Sequence, residues 1–320
     1  MVGFAFIGTG GVAQLHAEAL RRIESARLIG AWSRSAQNVA AFAAKNGTAG
    51  YDSLEALLAD PAVEAVAVLS PAPSHVEHAL ACLRAKKHVL IEKPIAATVG
   101  EIEQLKAAAA AAGRLCVPAH NYVYAPVLRE AKRRITAGDL GRISSFWLIY
   151  NQRHVFRPHT APQAPFRGLM IHHAYAAIYF VGTPLRVSAS ASTVHFPDPG
   201  VPDQIMAVVE HEHGVISNLW ESQGVDDLGA NPWSVLYKVL GTKGTFQSSW
   251  NDLQFGEAKL PGWDKAGYRD SFHHLQDYFV NQCLAHGRAP LSSLDDAATA
   301  LRLCEGMIES AATGRRIELA

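Results

Sequence analysis

Short apolar runs alternate with segments of helical periodicity through the first third of the chain. Phe4-Ala5-Phe6-Ile7 is a four-residue apolar run, followed by Val12, Leu15, His16, Ala19 and Leu20 at helical spacing. Arg27–Trp32 predicts a second strand, and segments near 36–46 and 53–59 predict helices around a turn at Gly47 and Gly50. Ala62–Ser70 is almost continuously apolar, as a central parallel strand buried on both faces should be. Val76, Ala79, Leu80 and Leu83 mark a helix, and His88–Ile91 a strand. The alanine-rich stretch 101–113 predicts a helix stopped by Gly113, and Cys116–Ala119 a further strand. This alternation predicts an α/β fold whose N-terminal part is a doubly wound parallel sheet.

The pattern changes after His120–Pro126. A helix over 127–137 ends at Gly138, and segments near 142–151, 185–196, 204–212 and 215–221 alternate apolar with polar or are rich in β-formers. They predict a C-terminal α+β domain with an open, mostly antiparallel sheet covered on one face. Gly241-Thr242-Lys243-Gly244-Thr245 predicts a hairpin turn, Phe156–Phe166 and 222–233 loops, and 271–284 and 294–313 helices. The expected division is one domain over 1–120 and a second over 121–320, with the C-terminal helix able to pack back on the first.

Hydrophobic residues make up 49% of the 320 and charged residues 18%, which provides a core and argues against disorder. Lys+Arg and Asp+Glu both number 29, so the chain lacks the basic footprint of a nucleic-acid binder. Cys82, Cys116, Cys283 and Cys304 are scattered without metal-like spacing, as expected of buried thiols in a reducing compartment. No apolar run reaches membrane-spanning length and no signal-like segment precedes the first strand, so a cytoplasmic protein without membrane contact is expected. His154, His159, His172, His173, His195, His211 and His213 match no zinc spacing, and no metal is expected. His211-Glu212-His213 alternates as on a strand, which would put both histidines on one side.

Between the first strand and its helix stands Gly8-Thr9-Gly10-Gly11-Val12-Ala13, a Gly-x-Gly-x-x-Ala turn. Gly8 suits a tight turn, Gly10 lets a pyrophosphate approach the backbone, and Ala13 brings helix and sheet together. The helix start then offers N–H groups and a partial positive charge to phosphates. At the end of the second strand, Ser33 and Arg34 stand where an NAD-specific fold would place an acid. A hydroxyl beside a guanidinium suits a 2′-phosphate, so NADP is favoured over NAD. Glu92-Lys93-Pro94 follows a parallel strand directly, which aims Lys93 at the crevice beyond the strand ends, where it could hold a substrate hydroxyl and help move its proton.

These stretches, with Pro71–His75, Lys87–Pro94 and Ser310–Leu319, resemble the glucose–fructose oxidoreductase / inositol dehydrogenase / rhizopine-catabolism (Gfo/Idh/MocA) family in order along nearly the whole chain. The resemblance implies an NAD(P)-dependent oxidoreductase moving hydride between nicotinamide and a carbon–oxygen centre of a sugar, cyclitol or related polyol. It also implies a Rossmann dinucleotide-binding domain over 1–120 and a substrate-binding and oligomerisation domain over 121–320, paired into homodimers or homotetramers through the C-terminal sheet. It adds Thr9, Gly11, Val12, Ser70, Pro71, His75, Glu92, Lys93 and Pro94 to Gly8, Gly10, Ser33 and Arg34 as cofactor-binding residues. Counting back from Gly182 puts His172 at the family's catalytic histidine, Gly168 at its usual Asp, and Tyr175 where a second Asp often stands. Catalytic roles are thus expected of Lys93, His172 and Tyr175. Val123 replaces a usual Arg, while His120, Asn121, Arg153, His154, Arg157 and Arg167 remain candidates for substrate contact. Because Gly168 and Val123 depart from the pattern, two other readings stay open here. One is a non-catalytic NAD(P)-binding sensor; the other is a lyase or glycosidase working through transient oxidation with a recycled cofactor.

Overall fold

The computed structural model describes residues 1–154, 163–196, 200–227, 229, 233–250 and 266–319. The chain divides into two compact units, Met1–Tyr124 with Arg269–Ala298, and Ala125–Tyr268 with Thr299–Ala320.

The first unit is built on β1 (Val2–Ile7), β2 (Ala26–Trp32), β3 (Ala49–Gly50), β4 (Ala65–Val68), β5 (His88–Ile91) and β6 (Cys116–Pro118). They form one parallel sheet in the order β3-β2-β1-β4-β5-β6. The order reverses between β1 and β4, so the carboxyl ends of those strands open onto the switch-point crevice where ligands of such sheets bind. Phe4–Ile7 and Ala65–Val68 are buried, which explains their unbroken apolar runs. The crossover helices are α1 (Gly11–Leu20), α2 (Ala36–Asn46), α3 (Leu54–Ala59), α4 (His75–Arg84) and α5 (Val99–Ala112). Their ends obey local chemistry. Ser35 Oγ accepts the Asn38 N–H, Thr98 and Glu101 form a capping box, and Gly47 and Gly113 close their helices in the left-handed conformation. Residues 269–298 join this unit through polar and aromatic contacts: Gln276 on His16, Ser25 Oγ donating to Asn281 Oδ1 at 2.6 Å, and Phe279 edge-on to Phe4 at 6.0 Å.

The second unit opens with α6 (Pro126–Thr136) and carries β7 (Ile143–Asn151), α7 (Ile171–Val181), β8 (Pro184–Ser192), β9 (Gln204–His211), β10 (Ile216–Ser222), β11 (Val235–Gly241) and β12 (Thr245–Trp250). The chain ends in α8 (Ala266–Tyr278), a π-helical turn over Phe279–Leu284, α9 (Leu294–Thr313) and β13 (Ile317–Glu318), and the division between units falls inside α8 and α9. The sheet order is β12-β11-β7-β10-β9-β8-β13, antiparallel throughout except that β7 and β10 run side by side in parallel. Strand alternation buries Phe146, Leu148, Ala207, Val209, Leu219 and Val239 on one face. There α7 packs, Phe180 lying 5.4 Å from Phe146 between ring centres. Burying each such phenylalanine stabilises the fold by about 1.5–3 kcal/mol. The opposite face leaves Trp147, Met206, Val208 and Ile216 exposed by 39–48% of their surface.

Two local expectations are corrected. The strand expected over 185–196 stops at Ser192, because the Asp203 carboxylate takes the backbone N–H groups of Val194, His195 and Phe196, each at 2.9 Å, and draws the chain off the ladder. His211 and His213 do not share a strand face. The strand ends at His211, which is buried and contacts Gly182 O and Ser217 Oγ, while His213 sits exposed in the following turn at φ 60°.

Candidate functional site

In the first unit, Gly8 has φ +110°, and a Cβ there would lie 2.5 Å from Leu69 O and 2.7 Å from Ser70 N. Glycine is therefore required for β1 to turn tightly against the end of β4. Gly10 and Gly11 face open space instead: an added Cβ would meet nothing within 4 Å. Gly10 caps α1 without any side-chain hydrogen bond, so no side-chain oxygen occupies the helix start. Beside this turn lies a cavity of about 400 Å³, lined by Ile7 to Gly10, Trp32 to Ser35, Asn38, Leu69 to Pro71, Ser74 and His78. It brings together the predicted Gly8, Thr9, Gly10, Ser33, Arg34, Ser70 and Pro71. Thr9 Oγ1 donates to Ser33 Oγ at 3.2 Å, fixing the first loop to the second. His78 bonds Ser70 Oγ at 2.9 Å and meets Trp32 edge-on, and burial lowers its proton affinity, so it lines the wall as a neutral ring. Among the described residues, no Asp or Glu is in the wall. An open glycine turn, a bare helix start and a wall of hydroxyls with one arginine fit a dinucleotide.

The remaining predicted cofactor residues, Gly11, Val12, His75, Glu92, Lys93 and Pro94, lie outside this cavity wall. His75 ties two strand ends together, its ring nitrogens contacting Ser70 O at 2.6 Å and Pro94 O at 2.8 Å. Glu92 is buried and heads a polar chain. Gln276 Nε2 donates to His16 O at 3.1 Å, which fixes the amide, and to His16 Nδ1 at 2.7 Å. Nδ1 is thus an acceptor, and Nε2 carries the proton it gives to Glu92 Oε1 at 3.0 Å. The other Glu92 oxygen accepts the Lys93 backbone N–H at 2.9 Å. Burial pushes the Glu92 carboxyl up, but the His16 hydrogen bond and the Lys93 charge outweigh it and hold the group below its ordinary value. Burial pulls the Lys93 ammonium down, opposed by Glu92. His120 and Asn121 are buried, bonded to Ser292 Oγ at 2.7 Å and Ser271 Oγ at 2.6 Å. Burial, with the Lys93 charge, brings His120 down to about 3. Val123 is wholly buried.

In the second unit, a π-helical turn over Phe166–Met170, containing Gly168, leads into α7. His172 and Tyr175 lie one helical turn apart, both buried, with His172 Nδ1 2.7 Å from the Tyr175 phenol oxygen. Where Nδ1–H donates to that oxygen, Nε2 keeps the lone pair that a proton acceptor needs; where the phenol O–H donates to Nδ1, Nε2 carries the proton. A phenol one turn away thus orients the ring in a chain whose Gly168 offers no carboxylate. His173 faces the sheet and donates from Nε2 to Trp220 O at 3.0 Å, and burial lowers it to about 4. Arg153 donates its backbone N–H to Asp226, His154 contacts the Tyr150 hydroxyl at 3.1 Å, and Arg167 pairs with Glu305 at 2.7 Å. Arg157 and His159 lie outside the described residues.

Two residues had no signal in the sequence: Asn38, which joins the cavity wall one turn into α2, and Gln276, whose partner is 260 positions away. Glu221, wholly buried, had one signal, a charged residue inside an alternating strand pattern. Among the described residues there is no group of three or more His, Cys, Asp or Glu able to hold a metal ion.

The model of the Gfo/Idh/MocA oxidoreductases, described as an oxidoreductase family with an NAD-binding Rossmann fold, matches residues 2–120, and that of the GFO/IDH/MocA C-terminal domain matches residues 128–247. The chain is 26% identical to 4-carboxy-2-hydroxymuconate-6-semialdehyde dehydrogenase of Sphingobium sp., over 91% of this chain and 92% of that protein. It is 31% identical to the NADP(+)-dependent scyllo-inositol 2-dehydrogenase IolU of Bacillus subtilis, over 59% of this chain and 61% of that protein. Among solved structures, an oxidoreductase from Agrobacterium radiobacter in complex with NAD+, L-tartaric acid and magnesium superposes with a TM-score of 0.85 at 20% identity, over 99% of this chain and 98% of that one.

Proposed function

The chain belongs to the Gfo/Idh/MocA oxidoreductase family, as an NAD(P)-dependent dehydrogenase or reductase acting on CH–OH groups, and from that premise we propose that it interconverts a polyol, sugar or cyclitol-like alcohol and its ketone using NADP in preference to NAD. The observation that carries this reading is the cavity at the switch point between β1 and β4, with Gly8 to Gly10 at one end and Ser33, Arg34, Ser35 and Asn38 at the other. The glycine turn and the start of α1 would receive the pyrophosphate, and Arg34 with the serine hydroxyls a 2′-phosphate. The absence of an acid from the described wall removes the usual partner of an NAD ribose diol. When bound, the nicotinamide supplies or accepts the hydride.

The protein's own groups handle the proton. Lys93 follows β5 with its backbone N–H on the Glu92 carboxylate, and the proton affinity of its ammonium, lowered by burial, suits a group that grips the reacting oxygen and exchanges a proton with it. His172 Nε2 takes the hydroxyl proton during oxidation and returns it during reduction, while Tyr175 keeps the ring oriented. Two further readings follow from surface and composition. The exposed Trp147, Met206, Val208 and Ile216 support a homodimer or homotetramer paired through the C-terminal sheet. Four buried cysteines, none in a disulfide, support a reducing, cytoplasmic setting, and no described helix is long and apolar enough to cross a membrane.

The test is a panel of inositols, aldoses, anhydro-sugars and hydroxy acids, with the matching keto compounds, assayed with NADP and NAD by nicotinamide absorbance. At least one alcohol is expected to reduce NADP with kcat/KM well above that with NAD. A panel silent in both directions with both cofactors contradicts the reading.

A further inference from the structure

Glu221 ends the inner face of β10. The register places it beside Tyr150 of β7 and Ile205 of β9, on the face that α7 covers. It is wholly buried, yet Oε1 has no hydrogen-bond partner among the described residues, and Oε2 receives only a long contact of 3.4 Å from Gln223 Nε2. Its carboxylate neighbour is built in the opposite way. Asp203 is also buried, but its oxygens take three backbone N–H groups at 2.9 Å each. Three donors stabilise an ionised Asp203, and that negative charge in turn disfavours ionisation of Glu221. Burial, with Asp203 adding to it, brings the Glu221 carboxyl up to about 8, so at neutral pH it carries its proton. A buried carboxylic acid has an O–H to donate, and the described fold gives it no acceptor. Such a group lowers stability unless something else completes it.

Its position says what completes it. The residue before it, Trp220, gives its carbonyl to His173, and His173 is next to His172 on α7. Glu221 therefore stands at the same end of this unit as the imidazole assigned to proton transfer. That end is also where the parallel strands β7 and β10 both finish, with Asn151, Ser222 and Gln223 buried around it.

We propose that Glu221 is a substrate-binding acid, donating its carboxyl O–H to a second oxygen of the bound substrate, one other than the oxygen that reacts. The substrate class is thereby narrowed to compounds with at least two oxygens in reach of one another, such as vicinal diols, hydroxyketones and hydroxy acids, and simple monoalcohols are disfavoured. The proposal rests on the oxidoreductase reading of the same unit.

The experiment compares wild type, Glu221→Gln and Glu221→Leu in three measurements: thermal unfolding without ligand, the shift of that unfolding by saturating myo-inositol, scyllo-inositol or L-tartrate, and KM and kcat for whichever alcohol of the panel wild type oxidises best. Glu221→Leu is expected to unfold at the same temperature as wild type or higher, because it removes a group the fold leaves unsatisfied. Its KM should rise about tenfold or more, with a smaller change in kcat. Glu221→Gln keeps an N–H donor and should hold KM within about threefold of wild type. Loss of thermal stability in Glu221→Leu with KM unchanged would show a structural carboxyl and overturn the proposal. Should wild type oxidise no alcohol, the functional reading fails on its own, and Glu221 is judged by ligand-induced stabilisation. A stabilisation lost in Glu221→Leu and kept in Glu221→Gln sustains it, and no stabilisation of wild type by any of the three compounds overturns it.

Discussion

Arg34 lines the cavity beside the glycine turn together with Ser33, Ser35 and Asn38, and Ser35 is at once a wall residue and the cap of α2. A 2′-phosphate would gain charge-assisted hydrogen bonds there, and a ribose hydroxyl would gain much less. Arg34→Ala is therefore expected to weaken NADP binding roughly tenfold or more while changing NAD binding by less than about threefold, measured by titration of each cofactor. Equal losses for both would remove the stated preference. Single residues were legible in the sequence where their chemistry is local. Gly8, Gly10 and Lys93 were placed by the turn and strand end next to them. Gly168 posed the question of what orients His172, and the helical spacing to Tyr175 contains the answer, a 2.7 Å contact. Glu221 and Gln276 were not legible, because what matters about each is a partner, or the lack of one, set by strand register or by a contact 260 positions away.

At the scale of elements, α7 joins two kinds of histidine. His172 bonds within the helix, whereas His173, a hundred degrees around, anchors the helix to β10 through Trp220 O. Burial keeps His173 neutral, at about 4, against about 6.5 in an unfolded chain. The folded value is the lower one, so between about pH 6.5 and 4 the unfolded chain binds a proton that the folded chain refuses. This contribution is complete above pH 6.5 and is lost as the pH falls. His173→Gln retains an N–H donor for Trp220 O and does not titrate. Between pH 7 and 5 wild type should lose about 2 kcal/mol more unfolding free energy than this variant, measured by urea denaturation. Parallel losses would show that His173 is not the buried neutral group described. Glu221 runs the other way: its folded value of about 8 lies above that of an unfolded Glu, so its contribution falls as the pH rises from about 4.5 to 8. Elements themselves were largely legible. α2, α9 and β5 carry their own periodicity and caps, while β8 ends earlier than its pattern suggests because Asp203, a residue of another segment, claims the backbone beyond Ser192.

For the whole molecule, the period of the hydrophobic pattern switched once, from short buried strands with helices to alternating strands, and that switch separates a parallel sheet from a mostly antiparallel one. Composition bears on partners: 29 basic and 29 acidic residues leave the chain without net charge, and the exposed Trp147, Met206, Val208 and Ile216 share one sheet face. Of the two units, each with its own sheet, one contains Gly8 to Gly10 and Lys93 and the other His172 and Glu221. The central claim is that Lys93 serves the proton step and does not anchor the cofactor. The direct measurement is single-turnover hydride transfer by Lys93→Met, alongside its affinity for NADP, using the best alcohol of the panel. The account predicts NADP affinity within about threefold of wild type and hydride transfer slowed by about a hundredfold or more. Hydride transfer at the wild-type rate, or a loss fully explained by weaker NADP binding, would contradict it.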